Sequence, residues 1–293
     1  MKHAILILAH KDFTLLRHLI AFFTKDCYVY VHIDKKAKIT QEELALIGSM
    51  PQVRTIYQQF AVHWGGFSLL EAELSLFERA YKDGVADYYH LISGQDYPIK
   101  PLDVFLKFFE KNKDADYIEY RTYPISRWQD PFFDRYRYYF VADDVDWQSV
   151  KGKQFMGEFV KLQEEYGVNR EPIQGFDVIY KGSQWMSITK TSVGKILNYT
   201  HHHPSFLHRF NHTFAPEESY IQTILLNQSC NGALSDNLRY IRWNKENGNN
   251  PSNLGSEHFE DIKRSHAFFA RKMEQPFCIP LIRLIDKNIL HRS

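Results

Sequence analysis

The chain has 293 residues, enough for one large or two modest domains with a substantial buried core. Its 36 Lys plus Arg nearly cancel 35 Asp plus Glu, leaving a net charge of +1 and no long-range field that would favour nucleic acid. Three cysteines, Cys27, Cys230 and Cys278, match neither a disulfide framework nor a metal motif. They read as reduced thiols of a cytoplasmic protein.

The first apolar run, AILILA at 4–9, is shorter than a signal-peptide core and reads as a buried strand. Residues 13–23 follow with Leu15, Leu16, Leu19, Ile20 and Phe23 on one helical side, and YVYVHI at 28–33 is a second strand. A strand, helix, strand unit favours a parallel sheet. A second helix is predicted over 68–81, with Ser68 and Glu71 at capping-box spacing, and a third strand over 88–93. In such sheets ligands bind beyond the carboxyl ends of the strands. His10-Lys11-Asp12, His32-Ile33-Asp34 and Ser93-Gly94-Gln95-Asp96 fall there.

Further along, a helix is predicted over 101–112 and a strand over 116–121. Segment 122–147, dense in aromatic and charged residues without a period, is expected to be an irregular excursion that shapes a pocket. A helix follows over 152–166, then strand material at 179–189 around Lys181-Gly182-Ser183, and a helix at 192–199. Residues 217–228 form another helix pattern, 239–243 a strand, and 257–265 a last helix before FFARK. The stretch 244–253 reads as a surface loop. In the tail, Leu281, Ile282, Ile285 and Ile289 recur at helical spacing beside Arg283, Lys287 and Arg292. Docking on the protein body, an oligomer contact, or peripheral contact with a membrane surface all fit that pattern.

Several motifs can carry chemistry. Asp34 could accept from a base imide N–H or a ribose hydroxyl. In VHWGG (62–66), Trp64 offers a flat stacking surface, and Gly65 and Gly66 let backbone approach a ligand. In HLISGQDYPIK (90–100), Asp96 stands where a nucleotide-sugar transferase with a metal would carry Asp-X-Asp. A single acid is a poor cation site. Asp114-Ala115-Asp116 and Asp144-Val145-Asp146 have the spacing but stand in a charged connection and in the excursion. Arg271 and Lys272 of FFARK could instead neutralise a diphosphate, one by a bidentate fork, the other as a point charge. The histidines 201–203, 208 and 212 lack metalloprotease spacing, and Ser183 lies outside a nucleophile elbow. Glu217 and Glu218 follow Pro216 at a helix start, where the dipole favours acids. Capping alone would account for them, yet an ionised carboxylate there also suits a general base.

Together, the LAH ending of the first strand, HIDKK, WGGFS, LISGQDYPIK, GSQW, PEESYIQTIL, RYIRW and FFARK resemble, in order, the core-2/I-branching β-1,6-N-acetylglucosaminyltransferase family, which includes peptide O-xylosyltransferases. The resemblance implies a variant GT-A-type α/β fold with a mostly parallel central sheet flanked by helices. It implies an inverting transfer from a UDP-sugar to a glycan or lipid-linked glycan, with no required cofactor and no metal. Carried over, Glu218 is the catalytic base, Arg271 and Lys272 hold the diphosphate, and Asp34 contacts the nucleoside. His10, Val62, Trp64, Gly65, Gly66 and Asp96 complete the donor site, with Trp64, Gln184, Trp185 and Glu217 towards the sugars. Residues 1–275 are then one catalytic domain, with a nucleotide-binding half (1–100) and an acceptor half (101–275), followed by the tail 276–293.

The chain lacks the anchor and disulfides of the animal branching enzymes, which points to a bacterial-type cytoplasmic enzyme of cell-surface polysaccharide synthesis. Gln184 replaces the Asp of the xylosyltransferases' Ser-Asp-Trp, so N-acetylglucosamine is the expected sugar. UDP-xylose, UDP-glucose or UDP-galactose as donor, or an inactive carbohydrate-binding protein on the same fold, are the alternatives.

Overall fold

A strand covered on both faces must be apolar throughout, and every position of β1 (His3–Ala9) is buried. Alternate residues serve opposite faces: Ile5, Ile7 and Ala9 join one core, Ala4, Leu6 and Leu8 the other. The computed structural model describes the chain except Lys25, residues 229–231, 244–250 and Ser293. Cys230 and most of the 244–253 loop therefore lie outside the described residues.

Parallel to β1 run β2 (Cys27–Ile33) on one side and β4 (Tyr88–Ser93) on the other. Beyond β2 lies β3 (Val53–Tyr57), also parallel. Next to β4 come β9 (Met186–Thr189), antiparallel, β6 (Asp116–Ile118) and the two-residue β10 (Ala233–Leu234). The order is β10-β6-β9-β4-β1-β2-β3, the expected α/β arrangement with a mostly parallel central sheet. The chain winds outward from β1 through β2 to β3 and then returns to β4 on the opposite side. That reversal leaves a crevice at the carboxyl ends of β1 and β4.

Helices cover both faces. Phe13–Ile20, Leu102–Lys111 and the tail helix Cys278–Ile285 lie on one face; Phe67–Asp83, Lys190–His202 and Tyr220–Asn227 lie on the other. The tail docks on the body: Cys278, Leu281 and Ile285 are fully buried, and the Tyr97 hydroxyl donates to Asp286 Oδ1 at 2.7 Å. Its apolar stripe is thus spent on the core, the first of the three placements that its pattern allowed. Burial pushes the thiols of Cys27 and Cys278 up to about 12 and about 11, and both are unpaired.

Local differences have local causes. Thr40 accepts from the Glu43 N–H at 3.1 Å and starts a helix, Gln41–Gly48, that the apolar pattern did not announce. The 116–121 run splits into β6 and β7 (Arg121–Pro124), and β7 pairs with β8 (Val178–Lys181) in a separate ribbon. Tyr97–Pro98 (β5), Arg239–Ile241 (β11) and Phe269–Arg271 (β12) form a small sheet that carries Arg271 to the crevice. The helix 67–83 is capped not by its own Ser68 and Glu71 but by Asp143, which accepts the Phe67 N–H at 2.7 Å. The long excursion is thereby tied to the sheet side.

Candidate active site

Beyond the carboxyl ends of β1, β2 and β4 opens a cavity of about 1090 Å³. His10 and Asp34 reach it from the ends of β1 and β2. Asp34 Oδ1 accepts the Lys36 N–H at 2.9 Å and the Val62 N–H at 3.2 Å, and Lys36 Nζ donates to the Val62 carbonyl at 2.5 Å. The 62–64 loop is thus fastened to the sheet edge with Val62 and Trp64 on the cavity wall. Trp64, Trp147, Trp185 and Trp243 line it, four of the chain's five tryptophans. Flat rings with one polar edge suit the apolar face of a sugar and its hydroxyl rim. Tyr123 and residues 144–148 show that the excursion does shape the pocket.

Cations gather at one end. The Arg271 guanidinium lies 4.0 Å over the Trp185 ring, and its Nη1 is 3.5 Å from Asp96 Oδ1. Among the described residues, Nε and Nη1 of Arg271 have no hydrogen-bond partner although both are buried. Lys272 stands next to it, 3.7 Å from Glu274 Oε2, and Lys11 holds the other oxygen of Glu274 at 2.5 Å. Burial draws the Lys272 ammonium below its ordinary value; Glu274 opposes this, while Lys11 and Arg271 add to it. Arriving negative charge would relieve both effects.

The glutamates sit differently from the expected helix start. Pro216–Glu218 is a 3-10 turn, Ser219 breaks it, and the helix proper begins at Tyr220. The dipole is therefore not what holds Glu218. Its Oε2 is 2.8 Å from Lys181 Nζ and 3.0 Å from Arg135 Nη1, and its carbonyl accepts the Gly182 N–H at 2.8 Å. Gly182 has to be glycine, because a Cβ there would stand 1.7 Å from the Glu119 carbonyl oxygen. Glu218 is one-third exposed and lines the cavity with Arg271 and Lys272. Glu217 lines it too, only 5% exposed. Burial first, then the Glu218 charge, push the Glu217 carboxyl up to about 8.

His10, Asp34, Val62, Trp64, Gln184, Trp185, Glu217, Glu218, Arg271 and Lys272 are thus brought together around one cavity. Gly65, Gly66 and Asp96 do not line it. The Gly65 carbonyl accepts the Ala215 N–H at 2.9 Å and so braces the glutamate turn. Gly66 makes room for Asp143, whose Oδ1 would stand 2.2 Å from a Cβ at that position. Asp96 is fully buried behind Arg271 and accepts the Ser93 N–H at 2.6 Å. Lys11, Lys181 and Arg135 are the residues that sequence reasoning missed. Lys11 and Lys181 adjoin motifs already singled out, whereas Arg135 lies in the segment without a period.

Asp144 and Asp146 line the cavity, but Asp116 is spent inside the fold on the Thr189 N–H and the Ser192 hydroxyl. Among the described residues no three His, Cys, Asp or Glu side chains form a metal-binding group. His202 and His203 sit against their own helix, near the Asn198 and Tyr199 carbonyls. No helix among the described residues is long and apolar enough to cross a membrane.

Comparison with known proteins gives the family of the chain. Xylosyltransferase 2 of Rattus norvegicus is 24% identical over 299 residues, spanning 93% of this chain and 32% of that protein. Xylosyltransferase oxt of Drosophila melanogaster is 23% identical, over 79% of this chain and 25% of its own length. The chain thus spans about a third or less of the curated relatives it matches. Mouse xyloside xylosyltransferase 1 aligns over 95% of this chain and 99% of its own at 11% identity and TM-score 0.39, too distant to carry an argument. The family model described as Core-2/I-Branching enzyme matches residues 4–264, the span that holds the glutamate turn, the tryptophan wall and most of the crevice, and the chain belongs to that family of glycosyltransferases.

Proposed function

We propose that the protein transfers a sugar from a UDP-sugar to a hydroxyl of a glycan or lipid-linked glycan, with inversion and without a required metal. The observation that carries this reading is that Glu218, Arg271 and Lys272 line one cavity. Glu218 takes the proton of the acceptor hydroxyl as its oxygen attacks the anomeric carbon, and UDP departs from the opposite face. Lys181 and Arg135 both bind Oε2, which orients the carboxylate for that task. Charge developing on the departing diphosphate is met by Arg271, Lys272 and the neighbouring Lys11, fixed in place before reaction.

N-acetylglucosamine is the donor sugar of this reading, and synthesis of a bacterial-type surface polysaccharide at the cytoplasmic side its setting. The names of the xylosyltransferase relatives favour UDP-xylose as the second reading. Screening UDP-N-acetylglucosamine, UDP-xylose, UDP-glucose and UDP-galactose for UDP release, with and without chelator, tests both. Turnover of one donor that survives chelation supports the proposal; strict dependence on a divalent cation contradicts the account of charge neutralisation.

A further inference from the structure

Beneath Glu218 lie polar side chains that the transfer step does not use. Glu73, in the middle of the helix Phe67–Asp83, is fully buried among Leu70, Leu74 and Phe77. That helix packs on the Pro216–Glu218 turn, which brings Glu73 to Glu217. Among the described residues Glu217 Oε2 has no hydrogen-bond partner, and the Glu73 carboxyl faces the Gln184 side chain and no cation. Glu217 and Gln184 line the cavity. A buried carboxylate retained for stability is normally matched by a cation or by N–H groups. Here the two nearby cations, Arg135 and Lys181, are both taken by Glu218.

We propose that Glu73 and Glu217 form a neutral carboxylic-acid pair behind the base, in which Glu73 is a positioning residue and Glu217, with Gln184, presents a wall that binds sugar hydroxyls. A neutral carboxyl both donates and accepts, as a hydroxyl does; a carboxylate only accepts. A second negative charge beside Glu218 would also oppose an attacking oxygen that is itself becoming anionic. With the pair neutral, Glu217 places no second negative charge beside Glu218. The protons of the pair stay in place and take no part in the transfer.

Electrostatics agrees with the placement. Burial first, then the Glu217 carboxyl, hold Glu73 well above the usual carboxylate range, against an opposing contribution from the Gln184 side chain. The groups acting on Glu217 are Glu218 on its own turn, Arg135 from the short helix Asp134–Arg137, Lys181 from β8, and Glu73 from below. The two cations pull Glu217 down, but burial and Glu218 outweigh them.

Only the nature of the ligand rests on the transferase reading, and the experiment separates the two. Infrared spectra at neutral pH should show protonated-carboxyl C=O bands, one lost in Glu73→Gln and another in Glu217→Gln. In Glu73→Met, which has no donor, the surviving Glu217 band should shift to higher frequency, whereas Glu73→Gln should leave it in place. Bands absent from the wild type, or unmoved by all three substitutions, overturn the pair whatever the enzyme does. UDP release from the best donor of the panel should then fall on an alkaline limb near pH 8. Glu217→Gln should move that limb upward by one unit or more, whatever its absolute rate. An unmoved limb with the infrared bands present would leave the acids neutral but overturn their role at the sugar.

Discussion

Lys181 Nζ lies 2.8 Å from Glu218 Oε2, so the turn of β8 and the glutamate turn are joined at the oxygen of the proposed base. Arg135 meets the same oxygen from the excursion. A carboxylate with one oxygen pinned by two cations is aimed. Lys181→Ala should therefore lower kcat by about 10-fold or more while leaving UDP affinity within about 2-fold, since orientation of the base is lost but the cation end is untouched. Turnover with the donor at saturation, alongside calorimetric titration of UDP, checks the split.

At the other end of the cavity, Lys272→Ala and Arg271→Lys should weaken UDP itself. The arginine is the harder to replace, because its plane stacks on Trp185 and its Nη1 lies 3.5 Å from Asp96 Oδ1. Each should raise the UDP dissociation constant by about 10-fold or more, as loss of a charge-assisted contact does. Unchanged UDP binding in both variants would remove the cations from the diphosphate role.

Asp96 was legible as a site residue only in part. The HLISGQDYPIK motif shows that an acid follows the strand end, but not that β12 would bring Arg271 onto it from the far side of the chain. Removing one member of a buried pair leaves the other charge uncompensated and destabilises by about 3–5 kcal/mol. Asp96→Asn should thus lower the melting temperature, and UDP should restore part of the loss, because it supplies negative charge to Arg271. A variant with wild-type stability would place the pair's role elsewhere.

Three buried histidines set an acid limit. Burial draws His3 and His32 down to about 4 and His90 well below its ordinary value. The unfolded chain binds protons at these positions from about pH 6.5 downward, before the folded chain does, so their contribution is complete above that pH and lost as pH falls towards 4. Glu73 and Glu217 act in the opposite sense, since the folded state keeps protons that the unfolded chain releases above about 4.5. Melting temperature should therefore peak between about pH 6 and 7, falling below it as the unfolded chain takes up histidine protons and above it as the unfolded chain has released the glutamate protons that the folded state keeps. Glu73→Gln should flatten the alkaline side and steepen the acid side above about pH 4.5.

What the sequence made legible was local. The alternation within AILILA, the polar clusters at strand ends, the tryptophan of VHWGG and the cations of FFARK each carry their signal within a few residues. The braces did not. Asp143 caps a helix 75 or so residues earlier in the chain, Arg135 comes from a segment without a period, and Glu73 looks like one more surface acid of an amphipathic helix until the 216–218 turn is laid over it. Propensity and spacing cannot report contacts that only the closed fold creates. The same limit explains the misread glutamate turn, where Ser219 ends a 3-10 segment that the apolar pattern runs straight through.

The most direct measurement compares Glu218→Gln with the wild type for UDP affinity and for turnover of the best donor at saturation. The account predicts UDP binding within about 2-fold and turnover reduced by roughly 10² to 10⁴, because the amide keeps the shape of the side chain but cannot take the acceptor's proton. Turnover equal to the wild type would contradict it, and Glu218 would no longer be the base.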